Sequence, residues 1–150
     1  MEPVYIVFIS VICGIFCLFG CLGIVFKVVR KKLENHIQQK FDPNDIVGAT
    51  TNANFFGIKS KGFRQIRGNG ALVLTREQIC VVRALPFQAF FIPIDSVKTV
   101  SISRSFNGKT VFKELLCVCF SAEGREDAVA IAVDRPERWK KSIESIIEHR

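Results

Sequence analysis

Histidine is scarce in this chain of 150 residues: only His36 and His149 occur, and neither has a nucleophile beside it. No G-x-S-x-G, P-loop or paired-carboxylate spacing is present either, so the common hydrolytic and nucleotide-binding chemistries lack their carriers. The six cysteines, Cys13, Cys17, Cys21, Cys80, Cys117 and Cys119, form no C-x-x-C pair and have no histidine near them. That excludes the usual zinc arrangements. Gly57, Gly62, Gly68 and Gly70 are too loosely spaced for a dinucleotide loop and precede a strand-like run, so they read as turn residues. A basic helix or an aromatic-basic RNA motif is also missing, which sets nucleic acid aside as a partner. Together these absences predict a noncatalytic protein with no cofactor and no metal.

Charge is missing from residues 4–26, VYIVFISVICGIFCLFGCLGIVF. As a helix this run spans about 35 Å, enough to cross the hydrocarbon core of a bilayer. Lipid offers its backbone no hydrogen bonds, so a helix is the expected form. A cleaved secretory signal wants a basic start, a shorter apolar core and a small-residue cleavage site. Here the start, Met1-Glu2-Pro3, is acidic and the core is longer, so an uncleaved signal-anchor is expected. Residues 18–21, LFGC, resemble a bacterial lipoprotein processing box, although Phe19 is bulky and the apolar run continues to Phe26. An extracytoplasmic lipoprotein modified at Cys21 is the alternative.

Charge returns abruptly with Lys27, Arg30, Lys31 and Lys32, and residues 27–41 hold five basic groups against Glu34 alone. The formal net charge of +7 is therefore densest at the membrane exit, where it would meet anionic headgroups. Positive flanks stay cytoplasmic, and only Glu2 and the terminal amine precede the run. The expectation is a single-pass protein of the plasma (cytoplasmic) membrane, N-terminus outside and the remainder cytoplasmic, with its cysteines reduced. Inside the run, small residues recur at spacings of three and four, most of them on one helix face. Ser10, Gly14, Cys17, Gly20 and Cys21 either form a face for self-association or for another membrane protein, or simply meet lipid.

The chain divides into a short tail (1–3), the spanning helix (4–26), a basic juxtamembrane helix (27–41), a polar linker (42–53) and a β-rich domain (54–150). In the juxtamembrane helix Val29, Leu33, Ile37 and Phe41 recur in steps of four. That strip either lies on the membrane surface or prolongs the anchor, and Asp42-Pro43 ends it. Candidate strands then fall at 55–60, 71–75, 79–85, 90–94, 99–103, 115–120 and 128–133. Asn107-Gly108 and Glu123-Gly124 are tight-turn signals, and Pro93 marks an edge or a bulge. Asp134 is placed to cap a last helix, with Pro136 early in it and Glu137 three positions after the cap. Trp139, Ile143, Ile146 and Ile147 give that helix one apolar stripe. Seven short strands and one helix predict a mainly β domain, a barrel or sandwich plugged by the helix with Trp139 as its largest buried contact.

Two stretches resemble a known family. Residues 68–75, GNGALVLT, followed by 79–82, ICVV, look like the glycine-apolar-Leu-Thr hairpin of the pleckstrin-homology-like (PH-like) superfold, in its GRAM and bacterial branches. Residues 91–97, FIPIDSV, look like the Ile-Pro-Leu-type strand and turn of the same domains. The resemblance covers roughly residues 54–148. It implies a membrane-associated module that binds lipid headgroups or peptide segments, or acts as a scaffold, and it transfers no catalytic residues. In phosphoinositide-binding PH domains, basic residues between the first two strands grip phosphates. Here that connection offers Lys59, Lys61, Arg64 and Arg67, spaced Lys-x-Lys and Arg-x-x-Arg. They read as a site for lipid or another anion, as a nonspecific attraction to anionic membranes, or as an ordinary solvated hairpin. Two functions stay open: a PH-like domain that binds a partner protein or anionic lipid at the membrane, and a structural subunit assembled through the anchor's small-residue face. Membrane lipids, a membrane-protein partner or a second copy of the chain are the partners these readings call for.

Overall fold

In the computed structural model, residues 3–62 and 64–149 are described, with side chains from Ile9 onward; Met1, Glu2, Phe63 and Arg150 lie outside the described residues. The first element, α1 (Pro3–Lys40), is a single unbroken helix. At 38 residues it is about 57 Å long. Residues 27–40 thus prolong the apolar helix rather than forming a separate element. The helix stops where Pro43 forbids another turn: Phe41 N–H donates to the Ile37 carbonyl, and the Asp42 carboxylate accepts from the Asn44 backbone at 2.9 Å.

Seven strands follow: β1 (Ile46–Ile58), β2 (Gly68–Thr75), β3 (Gln78–Arg83), β4 (Gln88–Pro93), β5 (Val97–Phe106), β6 (Lys109–Ala122) and β7 (Arg125–Ala132). They form one sheet in the order β4-β3-β2-β1-β7-β6-β5, every neighbouring pair antiparallel. Pro93 sits on β4, an edge strand, where its missing N–H leaves no ladder bond unmade. Asn107-Gly108 joins β5 to β6 with φ of 50° and 73°, and Glu123-Gly124 joins β6 to β7 with 52° and 78°. Both are the two-residue turns with positive φ that match the twist of paired strands. The hairpin between β2 and β3 is closed by Thr75, whose hydroxyl accepts the Gln78 N–H at 3.0 Å.

The sheet curls around a single interior. Phe55, Leu72, Val81, Ile92, Val100, Val118 and Val129 bring one or more side chains from every strand, and Ile143 seals the end. Ile143 belongs to α2 (Pro136–Glu148), which packs over β5 and β6. Pro136 begins α2 as its fixed φ favours. Ile143 is buried, whereas Trp139 is only partly so and fits against Gly48, where an added Cβ would come within 3.2 Å of the indole.

Two sequence expectations are corrected. Residues 46–53 are not linker but the first half of β1, paired with β2 through Ile46↔Thr75 to Ala53↔Gly70. Register shifts after Ile46, Thr50 and Phe55 bend β1 so that it serves β2 along one part and β7 along the other. Asp134 is not the helix cap either. Arg135 takes the left-handed turn (φ 52°) before α2, with no side-chain cap, and the Asp134 carboxylate instead accepts from the Asn52 amide at 2.8 Å.

The outer face of the sheet carries two more apolar clusters. Beneath α1, Leu33, Ile37 and Phe41 pack on Ala71, Val73, Cys80, Val82 and Ala84 of β2, β3 and the turn that follows. The strip read at steps of four is therefore buried against the barrel, not spread on a membrane. Farther round, Phe56, Leu115, Cys117 and Ala130 are covered by Phe106 and Val111 from the β5–β6 hairpin.

Candidate functional site

One end of the barrel gathers the β1–β2 connection (59–67), the β3–β4 turn (84–87) and the β6–β7 turn (123–124). The first of these is firmly held. Gln65 accepts the Ile58 N–H at 2.8 Å and donates back to the Ile58 carbonyl, imitating a strand neighbour. Asn107 donates to the Ile58 and Gly62 carbonyls from the side of the β5–β6 hairpin. Gly62, at φ 67°, permits the sharp bend between them. The backbone and hydroxyl of Ser60 both donate to the Asp127 carboxylate, at 2.9 and 2.6 Å.

All four basic residues singled out in the sequence lie at this end and are exposed. Lys59 and Lys61 begin and end a single 3-10 turn, and Arg64 follows in the loop. Lys61 and Arg67 separate. The Lys61 ammonium stands 5.2 Å over Phe90, which packs against the interior; the Arg67 guanidinium stands 3.8 Å over Phe56, which faces outward. Phe55 and Phe56 are consecutive in β1 and so point to opposite faces, and Phe55 stacks on Phe90 at 5.5 Å. Both cations gain from ring faces within about 6 Å. The result is a basic rim divided between the inside and outside of the wall, with the Asp127 carboxylate among its neighbours, rather than a four-cation cradle.

Arg83 is a fifth cation that strand patterning hides. Its guanidinium donates to the Pro86 carbonyl at 3.3 Å, to Ile66 at 3.5 Å and to Gln88 at 3.0 Å, so it ties the β3–β4 turn to the β1–β2 connection. Around that tie the surface is apolar: Ile66 is 67% exposed, Leu85 65% and Phe87 40%. Beyond Arg67 a cleft of about 600 Å³ opens between β1, the end of β7 and β6, lined by Asn52, Asn69, Phe112 and Lys113.

The direction of this end is set by α1. Phe87 meets His36 edge-on at 4.9 Å with Lys32 5.3 Å over its ring, while Lys40 stands 4.0 Å over Phe91. Residue numbers rise together along α1 and β4, so the two run the same way. The apolar half of α1 and the loop end of the barrel therefore lie at the same end of the molecule. Under α1, burial pushes the Cys80 thiol up to about 11, Lys40 opposing it. On the other outer cluster burial, with Cys119 adding to it, raises Cys117 to about 11 as well. Ser10, Gly14, Cys17, Gly20 and Cys21 are all exposed on α1, and a Cβ at Gly14 or Gly20 would meet nothing within 4 Å. Among the described residues no group of three or more His, Cys, Asp or Glu side chains is placed to hold a metal.

No protein-family model matches the sequence, and no curated relative matches it. Structural likeness is clearer. The chain is similar to the Vps36 N-terminal PH domain, with a TM-score of 0.50 at 16% identity over 69% of this chain and 79% of that one. It also overlaps the C-terminal domain of an unknown protein from Leishmania infantum, with a TM-score of 0.47 at 15% identity over 82% and 98%. The first likeness shows the fold: a PH-like barrel of seven antiparallel strands and a C-terminal helix, carried behind a helix long and apolar enough to cross a membrane.

Proposed function

We propose that this chain is a noncatalytic single-pass membrane protein whose PH-like domain works at the lipid surface, meeting anionic headgroups through the basic rim of its loop end. One observation carries the reading: α1 continues without a break past its apolar half and docks on β2 and β3, running parallel to β4. If residues 4–26 span the bilayer, the loop end of the barrel faces that same bilayer. Lys27, Arg30, Lys31 and Lys32 put the domain on the cytoplasmic side, where anionic lipids are concentrated. Headgroup attraction near the surface is worth about 1 kcal/mol per basic residue. The rim, with Lys59, Lys61, Arg64 and Arg67, suits such diffuse attraction better than the gripping of one phosphate. Bilayer flotation of a soluble piece covering residues 27–150 tests it. Binding to phosphatidylserine vesicles is expected, with little to neutral ones, and Lys61→Glu with Arg64→Glu should release it. Equal flotation of the double variant contradicts the reading.

The exposed small-residue face of α1 favours a second role alongside the first. With open space over Gly14 and Gly20, a second helix can approach closely there, from another copy or from another membrane protein.

A further inference from the structure

Single exposed hydrophobic side chains are ordinary, but three at one end of a domain beside a membrane-exit helix are not. Ile66, Leu85 and Phe87 are such a set. The Arg83 guanidinium bonds both Ile66 and Pro86, so the connection and the turn that carry them lie side by side. Phe87 is also fixed in height, because its ring is held by Lys32 and His36. Those residues lie five and nine positions beyond Lys27, or about 8 and 14 Å along the helix. The polar headgroup layer is roughly 5–8 Å deep on each side of the hydrocarbon. Phe87 thus stands at the outer edge of the headgroups, and Leu85, in the tip of the turn, reaches further toward the bilayer. Cations border this apolar tip: Lys31 and Lys32 on α1 share a cleft with Phe87, and Arg83 lies behind the turn.

We infer that the β3–β4 turn, through Leu85 and Phe87 with Ile66 beside them, is a second membrane contact that enters the interfacial layer of the bilayer crossed by α1. The inference rests on the reading of α1 as a spanning helix. The domain is then held at two points, helix and turn, and cannot swing about the anchor. Its loop rim stays at a constant depth, where the basic side chains reach headgroups without a flexible linker.

Depth-dependent fluorescence quenching of the full chain in phosphatidylcholine–phosphatidylserine vesicles tests this. Trp139 is the only tryptophan and lies at the α2 end. In a Trp139→Phe background, Leu85→Trp is expected to lose most of its emission to phospholipids brominated near the headgroup, whereas the parent's Trp139 stays bright. Phe87→Trp, which keeps an aromatic ring against His36, is expected to be quenched by the same lipids and decides the matter if Leu85→Trp misfolds. Phe19→Trp reports separately on the span, through lipids brominated near the chain ends. Quenching at position 19 with none at 85 or 87 overturns the second contact and leaves the spanning helix standing. Quenching at neither overturns the spanning reading and the contact with it.

Discussion

From Ile9 to Phe26 every side chain on α1 is exposed and most are apolar, whereas from Lys27 on the helix is charged on most sides and buries one strip of Leu33, Ile37 and Phe41. The backbone is the same continuous helix in both halves; the surroundings differ. In the first half the apolar surface goes all the way round, as a helix in lipid requires. In the second, hydrophobic residues every fourth position leave a narrow stripe that only a protein surface can cover. One helix can thus be solvated by lipid at one end and by a β-sheet at the other. Because the helix does not break at Lys27, the orientation of the domain is coupled to that of the apolar half.

The sharpest way to break this comparison is to truncate a leucine or phenylalanine in each half. Leu33→Ala should cost the domain about 2–5 kcal/mol, read by denaturant melts of the full chain in micelles through Trp139 fluorescence. Phe16→Ala, at a residue 74% exposed, should leave the same melt within about 0.5 kcal/mol. Charge gives the mirror image. Leu18→Arg, mid-span, should raise the apparent free energy of insertion by about 3–4 kcal/mol in a membrane-integration assay, and Gln38→Arg should not change it.

A subtler effect concerns the thiols beneath and beside the docked helix. Cys80 and Cys117 stay protonated in the folded domain up to about 11, while an exposed thiol ionises near its ordinary value of 9.0. A raised folded pKa means the unfolded state sheds its protons first. Stability is therefore fully present below pH 9 and declines as pH rises toward 11, a slope that Cys80→Ala should reduce. Maleimide labelling separates the two sites: Leu33→Ala should speed modification of Cys80 more than that of Cys117, because only Cys80 lies under α1. The smallest effect on the domain is expected from Gly14→Leu with Gly20→Leu, which should abolish self-association of the helix in a membrane dimerisation assay without moving the melt.

The strand count, the two tight turns, the edge proline and the apolar stripe of the last helix were legible because each depends on local periodicity or on a residue that tolerates unusual φ. The first half of β1 was not. Its sequence, IVGATTN, carries few hydrophobic side chains because its neighbours need little from it: Gly48 must stay small for Trp139, and Ala49 to Asn52 line a groove against α1. The capping role expected of Asp134 failed because Arg135 enters the left-handed region, a backbone choice that local composition does not announce. The stripe at steps of four was visible, but its cover was not, since Val73 and Cys80 are distant in sequence. The same holds for the basic connection. Its four cations were easy to name, and their division by Phe56 and Phe90 depends on which face each ring takes.

The proposed orientation of the domain depends on α1 being seated on the sheet while its other half is in a bilayer. Cross-linking in native membranes with a short bifunctional maleimide tests this directly, with His36→Cys and Phe87→Cys in a chain whose exposed native cysteines are replaced, because a reagent with reach does not demand the close Cα spacing of a disulfide. The rings of these residues are 4.9 Å apart. Rapid intramolecular cross-linking of 36 to 87 by the reagent is predicted. No cross-link at this pair, with the protein folded and membrane-bound, would show that the domain hangs free of its anchor.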